Sequence, residues 1–79
     1  MPTLLNENGY RFAFYMADLD EPPHVHVTRE RMMVKVWLDP LNVGRNAGFP
    51  ELEIRRILRL CERHRDAFLE TWNDALRNR

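Results

Sequence analysis

A chain of 79 residues with 44% hydrophobic and 30% charged side chains has the length and composition of one folded domain, not of a disordered tail. Twelve basic residues balance twelve acidic ones, which argues against non-specific nucleic-acid binding through a general excess of cations. The single cysteine, Cys61, excludes an internal disulfide, no apolar run approaches the roughly 18 residues of a membrane span, and nothing at the amino terminus reads as a secretory signal, so a reducing cytoplasm is the expected compartment.

The chain opens with two expected strands, Thr3-Leu4-Leu5 and Tyr10 to Met16, separated by Asn6-Glu7-Asn8-Gly9. Asn-Gly is the commonest two-residue hairpin turn because both positions tolerate positive φ. Alternation in the second strand sends Tyr10, Phe12, Phe14 and Met16 to a core face and Arg11, Ala13 and Tyr15 to the other. Asp18 to Pro23 is an acidic connection closed by two prolines, which cannot donate to a ladder and so precede a strand.

A third strand runs from His24 to about Thr28, turns at Arg29-Glu30, and returns as a fourth from about Arg31 to Leu38. A two-residue loop there pairs Val27 with Met32, His26 with Met33 and His24 with Lys35. It sends Val25, Val27, Met32, Val34, Val36 and Leu38 to the core. His24, His26, Met33, Lys35 and Trp37 then share the opposite face with Arg11 and Tyr15. Leu41 to Gly48 reads as a loop or short irregular strand.

From Pro50 the period changes to that of a helix. At about 100° per residue, Ile54, Ile57, Leu58, Cys61, Phe68, Leu69, Trp72, Ala75 and Leu76 fall within roughly 120° of arc, a stripe that packs on the sheet. Arg65 lies in the middle of that stripe, which predicts a kink or break near His64-Arg65. The expected fold is therefore α+β, in a single domain over residues 1–79. A small antiparallel sheet of three to four strands packs on a C-terminal helix or kinked pair of helices.

Chemistry concentrates in Glu21-Pro22-Pro23-His24-Val25-His26-Val27. Residues two apart on a strand project to one side, so both imidazoles can meet one ligand. Two ligands fall short of the three or four that zinc requires, and Asp18, Asp20, Glu21 or Asp39 would have to complete a site; no metal or other cofactor is expected. General acid/base work or anion binding by His24 and His26 with Lys35 is the sharper reading, against plain structural use. Arg11, Tyr15 and Trp37 surround that group. Arg45 and Asn46 form a further polar pair in a glycine-bounded loop. From Arg45 onward eight basic residues, all arginine, outnumber six acidic ones. Arg55, Arg56, Arg59 and Arg63 make a helical stripe suited to phosphate or an acidic partner, or to a solvated face. Trp72, Phe68 and Cys61 belong to the core.

Taken together, Gly9-Tyr10-Arg11-Phe12 with Phe14-Tyr15, the Pro-Pro-His-Val-His-Val block, Lys35-Val36-Trp37-Leu38-Asp39-Pro40, Arg45-Asn46-Ala47-Gly48-Phe49, and Leu69 with Trp72 resemble a small prokaryotic family catalogued as domain of unknown function 4160. The resemblance implies the toxin half of a type II toxin–antitoxin pair, with a small antitoxin-like protein encoded nearby, and the expected target of such a toxin is a nucleic acid, RNA or DNA, or a translation component. It marks Pro22, Pro23, His24, His26, Lys35, Arg45, Asn46 and Trp72. If the toxin cleaves RNA, the imidazoles serve as acid and base, with Lys35, Arg11 or Arg45 on the phosphate. The alternative is a non-catalytic protein-binding or regulatory module.

Overall fold

In a computed structural model that describes residues 3–79, five strands precede one long helix. They are β1 (Thr3–Glu7), β2 (Tyr10–Ala13), β3 (His24–Arg29), β4 (Met32–Leu38) and β5 (Leu41–Ala47), followed by α1 (Glu51–Arg77). Every strand pairs antiparallel with its sequence neighbours, giving the order β1-β2-β3-β4-β5. The α+β architecture is the expected one, with one strand more.

The first hairpin turns on Asn8 (φ 55°) and Gly9 (φ 83°), as the Asn-Gly pair predicts. Strand β2 is shorter than expected. It stops at Ala13, and Met16–Asp20 forms a 3₁₀ turn, because Asp18 Oδ2 accepts the Tyr15 N–H at 2.8 Å and its own N–H donates to the Tyr15 carbonyl. Met16 is consequently half exposed instead of in the core.

The β3–β4 turn sits one residue later than expected, on Glu30-Arg31, with Glu30 at φ 56°. The register moves accordingly: His24 faces Trp37, His26 faces Lys35 and Val27 faces Val34. Because the shift leaves each residue's parity intact, no side chain changes face. Leu41 to Ala47 is a full edge strand. Its ladder with β4 jumps between Val34↔Asn46 and Val36↔Val43, so that Gly44 and Arg45 together oppose Lys35. A Cβ on Gly44 would stand 3.1 Å from the Trp37 indole nitrogen and 3.2 Å from the Lys35 carbonyl oxygen, which explains a glycine inside a strand.

Helix α1 runs unbroken through His64 and Arg65, against the expected kink. Arg65 escapes burial by reaching past the sheet: its Nε donates to the Leu38 carbonyl at 2.5 Å and its guanidinium pairs with Asp39 at 2.9 Å. Pro50 precedes the helix as its N-cap, not as its first residue, and supplies no side-chain cap. Asn46 compensates just upstream. Its amide donates to the Phe49 carbonyl at 2.8 Å and its oxygen accepts the Phe49 N–H at 3.1 Å.

One sheet face and α1 enclose the main core of Tyr10, Phe12, Val25, Val27, Val34, Val36, Leu38, Phe49, Ile57, Leu60, Cys61 and Phe68. Burial pushes the Cys61 thiol from an ordinary 9.0 to about 12, as befits a small hydrophobe and not a nucleophile. A second cluster forms from Phe14, Leu19 and Trp72, with the Phe14 and Trp72 rings 5.0 Å apart. This cluster roofs the start of β3.

Candidate functional site

His24 begins β3 beneath that roof. It is completely buried, with ring centroids 5.2 Å from both Trp37 and Trp72 and 5.1 Å from His26. His24 keeps the face expected for it but is closed off from solvent, because the 3₁₀ turn and the C-terminal part of α1 close over it. Its Nδ1 lies 2.9 Å from the Pro22 carbonyl, which only accepts, so Nδ1 carries a proton, and in the neutral form of the ring the lone pair is at Nε2. Pro22-Pro23 is held in place partly by the Leu38 N–H, which donates to the Pro23 carbonyl at 3.0 Å. The proline pair thus sets the histidine's orientation.

That Nε2 is buried without a hydrogen-bond partner and lies 3.5 Å from Asp18 Oδ1. Asp18 Oδ2 accepts from His26 Nε2 at 3.0 Å, leaving His26 Nδ1 buried and unpartnered as well. Burial raises the Asp18 carboxyl, but the Tyr15 N–H, the charges of His26 and His24 and the His26 hydrogen bond outweigh it and hold the pKa below the usual carboxylate range. One ligand atom from each of Asp18, His24 and His26 lies within 4.8 Å of the other two.

The rest of the expected face is assembled around this group. Tyr15, half exposed, sets its ring edge-on to His26 at 5.5 Å. Lys35 Nζ sits 4.2 Å from the Trp37 ring and 2.7 Å from Glu21 Oε1. That lysine bond lowers the Glu21 pKa. Asp18 and Glu21 are the residues whose place in this group spacing alone does not assign, because their approach depends on the 3₁₀ turn.

The other expected contacts scatter. Arg11 is turned to Thr3, donating to its hydroxyl at 3.0 and 3.1 Å. Arg45 is exposed on the β5 bulge, while Asn46 spends its amide on Phe49. Arg55 pairs with Glu51 on the helix surface at 3.0 Å. Arg59 and Arg63 instead join Arg56 and Arg29 around a concavity of about 400 Å³ floored by Tyr10 and Leu60. Glu53 takes Arg29 at 3.2 Å and Glu7 approaches Arg63 at 4.0 Å; among the described residues Arg56 and Arg59 have no ion-pair partner. Sequence reasoning does not find Arg29, because the turn assigned to it lies one residue further on.

A family described as Domain of unknown function (DUF4160) matches residues 9–73. The chain belongs to the DUF4160 family. The match spans the first hairpin turn through the Trp72 roof, and so contains all of Asp18, His24, His26, Lys35 and Trp37. No curated protein and no solved structure matches the chain significantly. Among the described residues no helix is long and apolar enough to cross a membrane.

Proposed function

We propose that this DUF4160 chain is the acting, toxin half of a two-protein toxin–antitoxin pair and that it engages RNA. The observation that carries the reading is the concavity lined by Arg29, Arg56, Arg59 and Arg63, where two guanidiniums lack a carboxylate among the described residues. Arginine forks match phosphate oxygens, and a protein without net charge binds a polyanion at a locally basic hollow and not over its whole surface. The toxin role implied by the sequence resemblance agrees with this reading.

The test is induced expression of the chain with and without the protein encoded beside it, scored by growth, together with RNA binding by the purified chain. Expression alone arrests growth and co-expression relieves it. Arg56→Ala/Arg59→Ala relieves it without the partner. Arrest that persists unchanged in that double variant refutes the role given to the concavity, and absence of any arrest refutes the toxin assignment.

One observation favours a second reading, a non-catalytic regulatory module. The ring nitrogens left unpartnered on His24 and His26 are both buried, so neither imidazole offers a free nitrogen to solvent as acid or base. On this reading the chain co-purifies with its partner and leaves RNA and DNA intact.

A further inference from the structure

We infer that Asp18, His24 and His26 form a binding site for a divalent transition-metal ion of the zinc and cobalt class. Two contacts bring the three side chains together. His24 Nε2 is buried, lacks a hydrogen-bond partner and stands 3.5 Å from Asp18 Oδ1. His26 Nε2 stands 3.0 Å from the other carboxylate oxygen. A tetrahedral ion with bonds of about 2.0–2.1 Å holds its ligand atoms roughly 3.3 Å apart. One ligand atom from each of the three residues already lies within 4.8 Å of the other two, so side-chain rotation closes the set on one ion.

The surroundings also suit a ligand set. A metal-bound histidine normally donates its second ring nitrogen to a carbonyl or carboxylate, and His24 Nδ1 meets the Pro22 carbonyl at 2.9 Å. The Tyr15 N–H fixes the Asp18 carboxylate in the same manner. Trp37 and Trp72 pack on His24 and prevent it from swinging away. An ion among the three displaces the hydrogen that His26 Nε2 directs at Asp18 and turns that ring to its Nδ1-protonated tautomer, leaving a fourth coordination position for water or a ligand oxygen. Two imidazoles with a single carboxylate favour zinc, cobalt or iron over magnesium and calcium, which require more oxygen donors. The site stands independently of the toxin reading, since a metal ion serves a structural role there as well as a chemical one.

The experiment titrates the chelator-treated full chain with Co²⁺, read by visible d–d absorption, and with Zn²⁺, read by calorimetry. One equivalent of either ion binds saturably, and an equal concentration of Mg²⁺ does not displace it. Asp18→Asn and His26→Ala each weaken binding by more than ~100-fold, beyond the roughly 10–100-fold effect of losing a supporting contact. His64→Ala, which alters the separate His64–Glu7 pair, leaves affinity unchanged. Circular dichroism verifies that each variant is folded, and His26→Gln replaces any that is not. Absence of saturable binding overturns the site. So does wild-type affinity in the folded Asp18 and His26 variants, or loss of binding on His64→Ala.

Discussion

The two ends of β3 solve opposite problems with charged and titratable side chains. At His24 the polar groups are drawn inward under Trp72 and gathered about Asp18, which bonds His26 and stands 3.5 Å from His24, with Pro22 and Tyr15 supplying fixed backbone partners. At Arg29, roughly 16 Å along the strand, guanidiniums ring an open hollow and half of them have no partner among the described residues. Buried polar groups are costly unless satisfied, so the first end is a constrained geometry with unpaired ring nitrogens as its remaining tension. Exposed cations cost little to leave open, so the second end is adaptable and senses charge more than shape.

Trp72→Ala breaks this contrast most severely. Removing a buried indole that joins Phe14, Leu19 and His24 costs about 3–5 kcal/mol by chemical denaturation and opens the histidine end to solvent, while the arginine hollow persists in any fraction that remains folded. Arg65→Leu tests how the helix stays straight. The Leu38 carbonyl and Asp39 lose their partner, with a loss of about 1.5–3 kcal/mol, yet far-ultraviolet circular dichroism keeps its helical signal because the kink is not the alternative.

Alkali acts on the core between the two ends. The folded Cys61 thiol keeps its proton to about 12 whereas an ordinary thiol ionises near 9.0, so the stability this gives is fully present below the lower value and declines as pH rises above it. Tyr10, held above its usual value by burial and by its hydrogen bond to Glu53, acts in the same direction. Denaturation midpoints measured between neutral pH and pH 10.5 should therefore fall, and Cys61→Ala should lessen the fall. At the arginine end, Arg56→Ala/Arg59→Ala flattens the dependence of log affinity for single-stranded RNA on log salt by about 0.7 for each phosphate that is no longer neutralised, with no change in thermal midpoint. The smallest effect belongs to the turn beside that end: Glu30→Gly relieves a left-handed backbone and raises stability by up to about 1 kcal/mol.

Periodicity alone is enough for the core strands and the apolar stripe of α1, because alternation and the 3.6-residue repeat are properties of the side chains themselves. Asn8-Gly9 is legible for the same reason, since few other pairs adopt its conformation. The β3–β4 turn is not: Thr28-Arg29-Glu30-Arg31 contains no residue that demands the left-handed region, and a glutamate occupies it by tertiary necessity. Strand β5 is obscured by Gly44 and Asn46, whose roles are a close approach to Trp37 and a hydrogen-bonded turn before Phe49. At the candidate site, the shared side of His24 and His26 follows from spacing. Their burial does not, because it depends on a 3₁₀ turn initiated by Asp18 and on a helix long enough to bring Trp72 across. Arg65 misleads because a guanidinium in an apolar stripe has two remedies, and its reach to Leu38 is visible only once the strand end is in place.

Both interruptions of the sheet fall on its outermost strands: the extra residue opposite Lys35 belongs to β5, and the skip between Thr3 and Leu5 leaves Leu4 as the extra residue of β1. A five-stranded meander has two exposed ladders of unpaired N–H and C=O groups, and each here is bent out of the flat repeat that a neighbouring copy would need for continuous pairing. Arg45, placed at the bend of β5, adds a charge to that margin. The sheet therefore resists stacking edge to edge into aggregates at high local concentration, and leaves association to its side-chain surfaces.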